Sequence, residues 1–262
     1  MIVLEQVSKT YDGGSRFSVC DVSFRVPEGR LLVLLGGSGC GKTTTLKMIN
    51  RLIEPTSGRI EVAGRDVRRA DPVELRRSIG YVFQGIGLFP HMTIAENIAV
   101  VPRLLKWPAA RTRVRVDELL ELVHLPPGEY RARLPRQLSG GQQQRVGFAR
   151  ALAAGPQIML LDEPFGALDP ITRDELREEF LQIRRRLGLT AGMVTHDMTV
   201  ALLAADLIAV MNAGRLLQVG TPHALLTSPA DGFVAALMSA PRRQADQLEA
   251  LVAGNTPGGS HV

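Results

Sequence analysis

The sequence predicts an α/β fold: a mainly parallel sheet with crossover helices, an antiparallel opening and a helical middle. Three observations carry this. The continuous apolar runs at residues 31–35, 158–161 and 207–211 have the length and purity of strands buried on both faces. Helical patterns at about 170–187 and 198–203 stand between strand patterns, the alternation that builds βαβ units. Residues 2–26 instead alternate apolar and polar in short runs broken by Asp12-Gly13-Gly14, which reads as antiparallel strands and a turn.

Taken in order, the run at 31–35 ends in glycines and leads into a helix from Gly41 to about Leu52. From Asp71 to Leu125 polarity rises and helical periodicity dominates, and residues 138–154 read as a glycine-rich turn entering another helix. Strand patterns return at 158–161, 191–194 and 207–211. Beyond about Leu237, Pro241-Arg242-Arg243, a short helix and residues 254–262 are expected to form a frayed tail. No internal repeat is visible.

Composition narrows the class. With 262 residues, 45% hydrophobic and 22% charged, the chain can bury a core, and 26 Gly and 16 Pro without periodicity exclude collagen and low complexity. No apolar run approaches the roughly 18 residues of a membrane span, and Met1-Ile2-Val3-Leu4-Glu5 does not open a secretory signal, so a cytoplasmic chain is expected. The net charge of +5 permits anionic partners without demanding them, and Arg111, Arg113 and Arg115 read as a solvated helix face. Cys20 and Cys40 lack zinc-ligand spacing and are expected to be thiols used in packing.

The chemistry begins at Gly36-Gly37-Ser38-Gly39-Cys40-Gly41-Lys42-Thr43, which fits G-x-x-x-x-G-K-[ST] between a buried strand and a helix, the context that the pattern requires. Glycines let backbone N–H groups curl around phosphates, and the following helix N-terminus adds partial positive charge. Lys42 is expected to neutralise the β- and γ-phosphates, Thr43 to offer its hydroxyl to Mg²⁺, and Thr44 to contact a neighbouring phosphate oxygen. Such a site needs a carboxylate from a second strand, and residues 158–163 end four apolar residues in Asp162 and Glu163. Asp162 is expected to hold Mg²⁺, and Glu163 to orient or deprotonate the attacking water.

Leu138-Ser139-Gly140-Gly141-Gln142-Gln143-Gln144-Arg145 has no role in a generic phosphate-loop enzyme, and with it the chain resembles the ATPases of ABC transporters. The family's motifs follow in order over about residues 2–236: Walker A at 36–43, a Q-loop glutamine at Gln84, the LSGGQ signature at 138–142, Walker B at 158–162, a D-loop at Ala167-Leu168-Asp169 and a switch histidine at His196. The resemblance implies a P-loop NTPase with a RecA-like core, an antiparallel β subdomain and an α-helical subdomain inserted at about 86–155, leaving 237–262 as a short tail. It implies ATP and Mg²⁺, and two copies meeting head to tail as a homodimer. Ser139, Gly140, Gly141 and Gln142 of one copy would then close over the nucleotide held by Gly36, Gly37, Ser38, Gly39, Cys40, Gly41, Lys42, Thr43 and Thr44 of the other. Tyr11 stands where the family's adenine-stacking aromatic sits, His196 would donate to the γ-phosphate, and Asp169 would act across the seam. Gln84 would reach Mg²⁺ or the attacking water and link hydrolysis to transport. His91, His124, His223 and His261 have no comparable support.

The segment after Gln84 would face a membrane permease, with Leu88, Phe89 and Met92 forming a groove for a short helix of that partner. The stretches 79–93 and 165–173, above all Asp169-Pro170-Ile171-Thr172-Arg173, resemble the ATPases of importers for osmoprotectants such as glycine betaine, choline, carnitine or proline-like solutes. Two departures stand out: Phe83-Gln84-Gly85 replaces a frequent pair of glutamines, and residues 237–262 are expected to form a short tail without the salt-sensing CBS pair of many members. The resemblance implies an ATP-hydrolysing subunit, peripheral on the inner face of the cell membrane, with permease subunits and indirectly a substrate-binding protein as partners, and no nucleic acid. Another small solute, an amino acid or a polyamine, is the alternative cargo. A DNA-repair ATPase would insert a coiled coil or zinc module between Lys42 and Ser139, where only residues 43–138 stand. An exporter is opposed by the text from Gln84 to Met92, and a phosphotransferase would have no use for Ser139 to Gln142.

Overall fold

The computed structural model describes residues 1–12 and 16–252. Strands β1 (Ile2–Thr10) and β2 (Phe17–Val26) form the expected antiparallel pair. Ile2, Leu4, Val7, Val19 and Val22 point inward, while Glu5, Asp21 and Arg25 face solvent, the period-two signature of a sheet covered on one side. Gly13 and Gly14 of the expected turn lie outside the described residues.

Strand β3 (Leu31–Leu35) is buried throughout, which explains its unbroken apolar run. Leu31, Val33 and Leu35 join one hydrophobic core, Leu32 and Leu34 the other. Helix α1 (Lys42–Ile49) stops before Leu52, because Arg51 turns the chain with a left-handed φ of 57°. Strands β4 (Ser57–Val62) and β5 (Arg65–Asp66) extend the antiparallel sheet in the order β2-β1-β4-β5. Their charge-rich text gave no strand expectation.

Helix α2 (Pro72–Ser78), capped by Asp71, runs straight into strand β6 (Ile79–Val82). The helical reading of residues 71–125 is therefore corrected at 79–82: no turn residue separates helix from strand, so the change of period leaves little mark in the sequence. A side chain at Gly80 would meet the Ala151 carbonyl at 2.6 Å. The remainder of the middle is helical: α3 (Ile94–Leu104), α4 (Ala109–Leu122), the short α5 (Pro127–Tyr130), a 3₁₀ turn at Pro135–Gln137, and α6 (Gly140–Leu152). Arg111 and Arg113 are exposed, but Arg115 departs from the solvated face and donates to the Leu152 and Ala153 carbonyls at 3.1 and 3.4 Å, where α6 leaves acceptors without helical partners.

Next come β7 (Ile158–Asp162), α7 (Pro170–Leu187), β8 (Thr190–Thr195), α8 (Met198–Ala204), β9 (Leu207–Asn212), β10 (Arg215–Gly220) and α9 (Pro222–Thr227). The second sheet has the order β10-β9-β3-β8-β7-β6, parallel from β9 to β6 with β10 antiparallel at the edge. Helix α10 (Gly232–Val252) corrects the expectation for the tail: it begins before Leu237 and runs through Pro241, docked by the buried Val234 and Met238. Residues 254–262 lie outside the described residues. Cys40 is buried, Cys20 half-buried, and both are free thiols. Among the described residues no helix is long and apolar enough to cross a membrane.

Candidate functional site

Central strand β3 delivers residues 36–41 to the carboxyl edge of the parallel sheet, where open α/β sheets bind ligands. Two glycines there are dictated by space and φ. A Cβ on Gly36 (φ 154°) would fall 2.1 Å from the Met211 carbonyl, and one on Gly41 (φ 101°) 2.4 Å from that of Ser18. Gly41 caps α1 without a side-chain hydrogen bond, and the first turn holds no acid, so the helix presents N–H groups and positive potential suited to an anion. Gly37, Ser38 and Gly39 are exposed on this rim, and Thr44 is half-buried on α1. Lys42 is buried, and its Nζ donates to the Gly36 and Gly37 carbonyls, each at 2.8 Å, with Cys40 Sγ at 3.8 Å. The ammonium is thus held inside the phosphate loop by two of its carbonyls.

Thr43 Oγ1 donates to Asp162 Oδ1 at 2.9 Å, joining α1 to the end of β7. Asp162 is buried. Beside it, burial first and the Asp162 charge second push the Tyr81 phenol well above its ordinary value, and the Tyr81 hydroxyl is buried without a hydrogen-bond partner. Glu163 follows with φ 48°, a left-handed conformation uncommon outside glycine that turns its side chain off the strand line, and its N–H donates to the Val194 carbonyl at 3.0 Å. Glu163 Oε1 lies 2.9 Å from His196 Nδ1, with the carboxylate mostly buried and the imidazole exposed. Walker A, Walker B and the switch histidine are therefore brought together within one chain.

Among the described residues, no hydrogen bond or ion pair joins the remaining expected residues to that cluster. Ser139 is the N-cap of α6: its Oγ accepts from Gln142 N at 3.3 Å, and Gln142 Oε1 accepts from Ser139 N at 3.0 Å, a capping box. Gln142 also donates to the Tyr130 hydroxyl at 3.1 Å. Ser139 and Gly140 are exposed, and a Cβ on Gly141 would meet Thr172 Cγ2 at 2.6 Å. Among the described residues no hydrogen bond or ion pair joins Ser139–Gln142 to residues 36–44. Asp169 caps α7 by accepting from Thr172 N at 3.0 Å, and this bond holds its carboxyl below the ordinary value. Tyr11 is 63% exposed, with Lys9 Nζ 5.0 Å from its ring centre, so its ring is open to a stacking partner.

Gln84 is exposed on the loop after β6. That loop is pinned from two sides that sequence reasoning missed. Arg150, on α6, donates to the Gly87 and Ile86 carbonyls at 2.7 and 3.0 Å. Asn97, fully buried on α3, accepts from Phe89 N and donates to the Phe89, Met92 and Thr93 carbonyls. Phe89 is 40% exposed, whereas Leu88 and Met92 are half-buried. An Arg and an Asn in amphipathic helices carry no local signal of such a role; only the fold brings them to the loop.

Among the described residues no three His, Cys, Asp or Glu side chains are grouped to ligate a metal. The donors at the loop, the Thr43 hydroxyl and the Asp162 carboxylate, are oxygen ligands of the kind that suits Mg²⁺ shared with phosphate oxygens.

Comparison with known proteins gives the family. The ABC transporter family profile matches residues 19–166. The glycine betaine/carnitine/choline transport ATP-binding protein OpuCA of Bacillus subtilis is 57% identical over 234 residues, 89% of this chain and 61% of that protein. The glycine betaine uptake system ATP-binding protein YehX of Escherichia coli is 52% identical over 89% of this chain and 75% of its own length. The chain thus spans less than two thirds of the OpuCA relative. Among solved structures, the ATP-binding cassette MJ0796, a dimer bound to ADP and Pi, superposes with a TM-score of 0.75 at 34% identity, covering 85% of this chain and 99% of its own. CbiO1 of Clostridium perfringens gives a TM-score of 0.80 at 27% identity over 95% and 98%. With six motifs in order, a phosphate loop bonded to its carboxylate strand and a family profile spanning more than half of its length, the chain belongs to the ABC transporter family.

Proposed function

We propose that residues 2–236 form an ATP-binding domain, with residues 86–155 as its helical insertion, that binds and hydrolyses ATP to drive an importer of osmoprotectants or related quaternary amines. The observation that carries the reading is the assembly of Thr43 with Asp162, and of Glu163 with His196, at the carboxyl edge of one sheet. The similarity to OpuCA and YehX supports the cargo class. The similarity to a dimeric cassette supports a head-to-tail pair, in which Ser139–Gln142 and Asp169 of each copy complete the partner's site.

In this reading the loop from Gly36 to Thr44 holds the phosphates, Lys42 neutralises them, and Tyr11 covers the base. Thr43, Asp162 and Gln84 would hold Mg²⁺, which when bound supplies charge neutralisation for the phosphate oxygens. Glu163 accepts the proton of a water that attacks the γ-phosphorus, the bond to the β,γ-bridging oxygen breaks, and ADP leaves with that electron pair. His196 holds Glu163 and donates to the γ-phosphate. The subunit works at the inner face of the membrane against a permease, seated on the groove beside Phe89.

The test is uptake of labelled glycine betaine, choline and carnitine, with a polyamine and amino-acid panel, in cells with and without the gene, joined to ATP hydrolysis by the purified chain. Loss of quaternary-amine uptake, restored by wild type and not by Glu163→Gln, is expected. Loss of polyamine uptake alone would keep the ATPase and replace the cargo. A purified chain without ATPase, in cells with normal uptake of the whole panel, would overturn the reading.

A further inference from the structure

Arg173 lies in the first turn of α7, at the end of the stretch 165–173, and no role has been given to it above. Its guanidinium makes two different bonds: Nη2 donates to the Leu168 carbonyl at 3.1 Å, and Nη1 pairs with Asp197 Oδ2 at 3.0 Å. Leu168 precedes the exposed Asp169, and Asp197 follows His196. The contacts then close on themselves. His196 Nδ1 meets Glu163 Oε1 at 2.9 Å, Gly166 N donates to the Glu163 carbonyl at 3.2 Å, and Leu168 N donates to that of Phe165 at 3.4 Å. From Glu163 through Gly166, Leu168, Arg173, Asp197 and His196 the path returns to Glu163.

We propose that Arg173 is the positioning residue that closes this ring, tying the loop carrying Asp169 to the histidine that holds Glu163. The inference deepens the hydrolysis reading above and rests on it for its kinetic consequences.

Two features favour a specific strut over ordinary packing. The fork of Arg meets a carbonyl and a carboxylate from two separate nitrogens held in one plane, a spacing that the single nitrogen of a lysine matches only in part. Asp197 is itself over-determined: its N–H donates to Thr195 Oγ1 at 3.0 Å, and its Oδ1 accepts from Val200 N at 3.1 Å as the cap of α8. The end of Asp197 is therefore fixed to β8 and α8, while the Leu168 end belongs to the loop that carries the exposed Asp169. The third donor of Arg173, Nε, is buried with no partner, so the two bonds of the fork account for its placement. A displacement of Asp169 by a second copy would pull on Leu168, and through Arg173 on the segment that aims His196 at Glu163.

The test uses the full chain with Arg173→Met, Arg173→Lys, Asp197→Asn and His196→Ala. Steady-state hydrolysis is expected to fall in kcat by about tenfold or more for Arg173→Met with KM for ATP unchanged, since small misplacement of a catalytic group carries losses of about 100-fold. Arg173→Lys should recover part of the loss, and Asp197→Asn should reproduce it. Because Arg173 acts through His196, Arg173→Met combined with His196→Ala should be no slower than His196→Ala alone. Wild-type kcat in Arg173→Met, or losses that multiply in the double variant, would overturn the ring. Hydrogen exchange of the nucleotide-free chain reads the ring independently of hydrolysis. Arg173→Met, or Asp197→Asn should the former not fold, must raise exchange in segments 164–169 and 196–200 together, and a rise in only one or neither overturns the proposal. A wild-type chain that does not hydrolyse ATP while these segments loosen together would sink the proposed function and leave the strut standing.

Discussion

Thr43 Oγ1 and Asp162 Oδ1 are separated by 119 positions in sequence and by 2.9 Å in space. The bond crosses from the first turn of α1 to the last residue of β7, which flanks β8 beside β3, so the sheet order sets the spacing between the phosphate loop and its carboxylate. With Asp162 buried, the Thr43 hydroxyl supplies one of the hydrogen bonds that its carboxylate needs.

Thr43→Val, nearly isosteric, removes that donor and the ion's hydroxyl ligand while Lys42 and the glycines remain. Nucleotide affinity without Mg²⁺ should therefore stay within about threefold of wild type, while the gain in affinity on adding Mg²⁺ disappears, a loss of about 1.5–3 kcal/mol for a bond to a charged group. Calorimetric titration with ATP, with and without Mg²⁺, checks this. A retained Mg²⁺ effect would remove Thr43 from the ion's shell.

Glu163→Gln keeps the size of the side chain and its place beside His196 but cannot accept a proton. ATP binding should persist, and turnover should fall by about 10²–10⁴, the usual weight of a positioned general base. Because hydrolysis would no longer release the partner copy, light scattering should detect an ATP-dependent dimer that wild type holds only transiently. Turnover within about twofold of wild type would assign the base elsewhere.

The sequence made the parallel core legible because β3 and β7 are buried on both faces and so carry unbroken apolar runs. The glycines of the phosphate loop were legible because backbone approach at Gly36 and Gly41 excludes any side chain. β6 reads as helix because it abuts α2 without punctuation, and the residues beyond about Leu237 read as a frayed tail because the docking of Val234 and Met238, which carries α10 through Pro241, is a tertiary fact that outweighs a local breaker. Glu163 and His196 were picked out separately, but their contact was not, since it depends on the left-handed turn at Glu163. The bonds of Arg150, Arg173 and Asn97 to loop carbonyls were not legible either, since they depend on how the loops after β6 and β7 turn.

Arg150 gives that last point a measurable form. It is 8% exposed, burial lowers its pKa, and its hydrogen bonds run to carbonyls within Gly85, Ile86 and Gly87, three consecutive residues with φ of 77°, 68° and 61°. A left-handed β-branched residue is costly, by about 1–2 kcal/mol, so the guanidinium holds a loop that would otherwise relax. Arg150→Met should destabilise the chain by about 2–3 kcal/mol and raise hydrogen exchange over residues 84–89 well beyond the global effect. Unchanged exchange at 84–89 in Arg150→Met would show that the loop is held from the Asn97 side alone.

Tyr81 carries a pH prediction whose sign follows from its burial. Its phenol is raised above the ordinary 10.0 in the folded chain, by burial first and then by the Asp162 charge. Below 10.0 both folded and unfolded forms keep the proton, and the group contributes no pH dependence. Above it the unfolded chain loses the proton while the folded chain retains it, so stability falls as pH rises toward the folded value, with a limiting slope of about 1.4 kcal/mol per pH unit. Tyr81→Phe deletes the titration. The stability of the variant relative to wild type should rise between pH 10 and 11. Urea unfolding of both proteins across that range measures it, the difference cancelling every lysine and tyrosine that they share. Parallel curves would mean that the Tyr81 phenol ionises alike in both states, and its proximity to Asp162 would then carry no energetic weight.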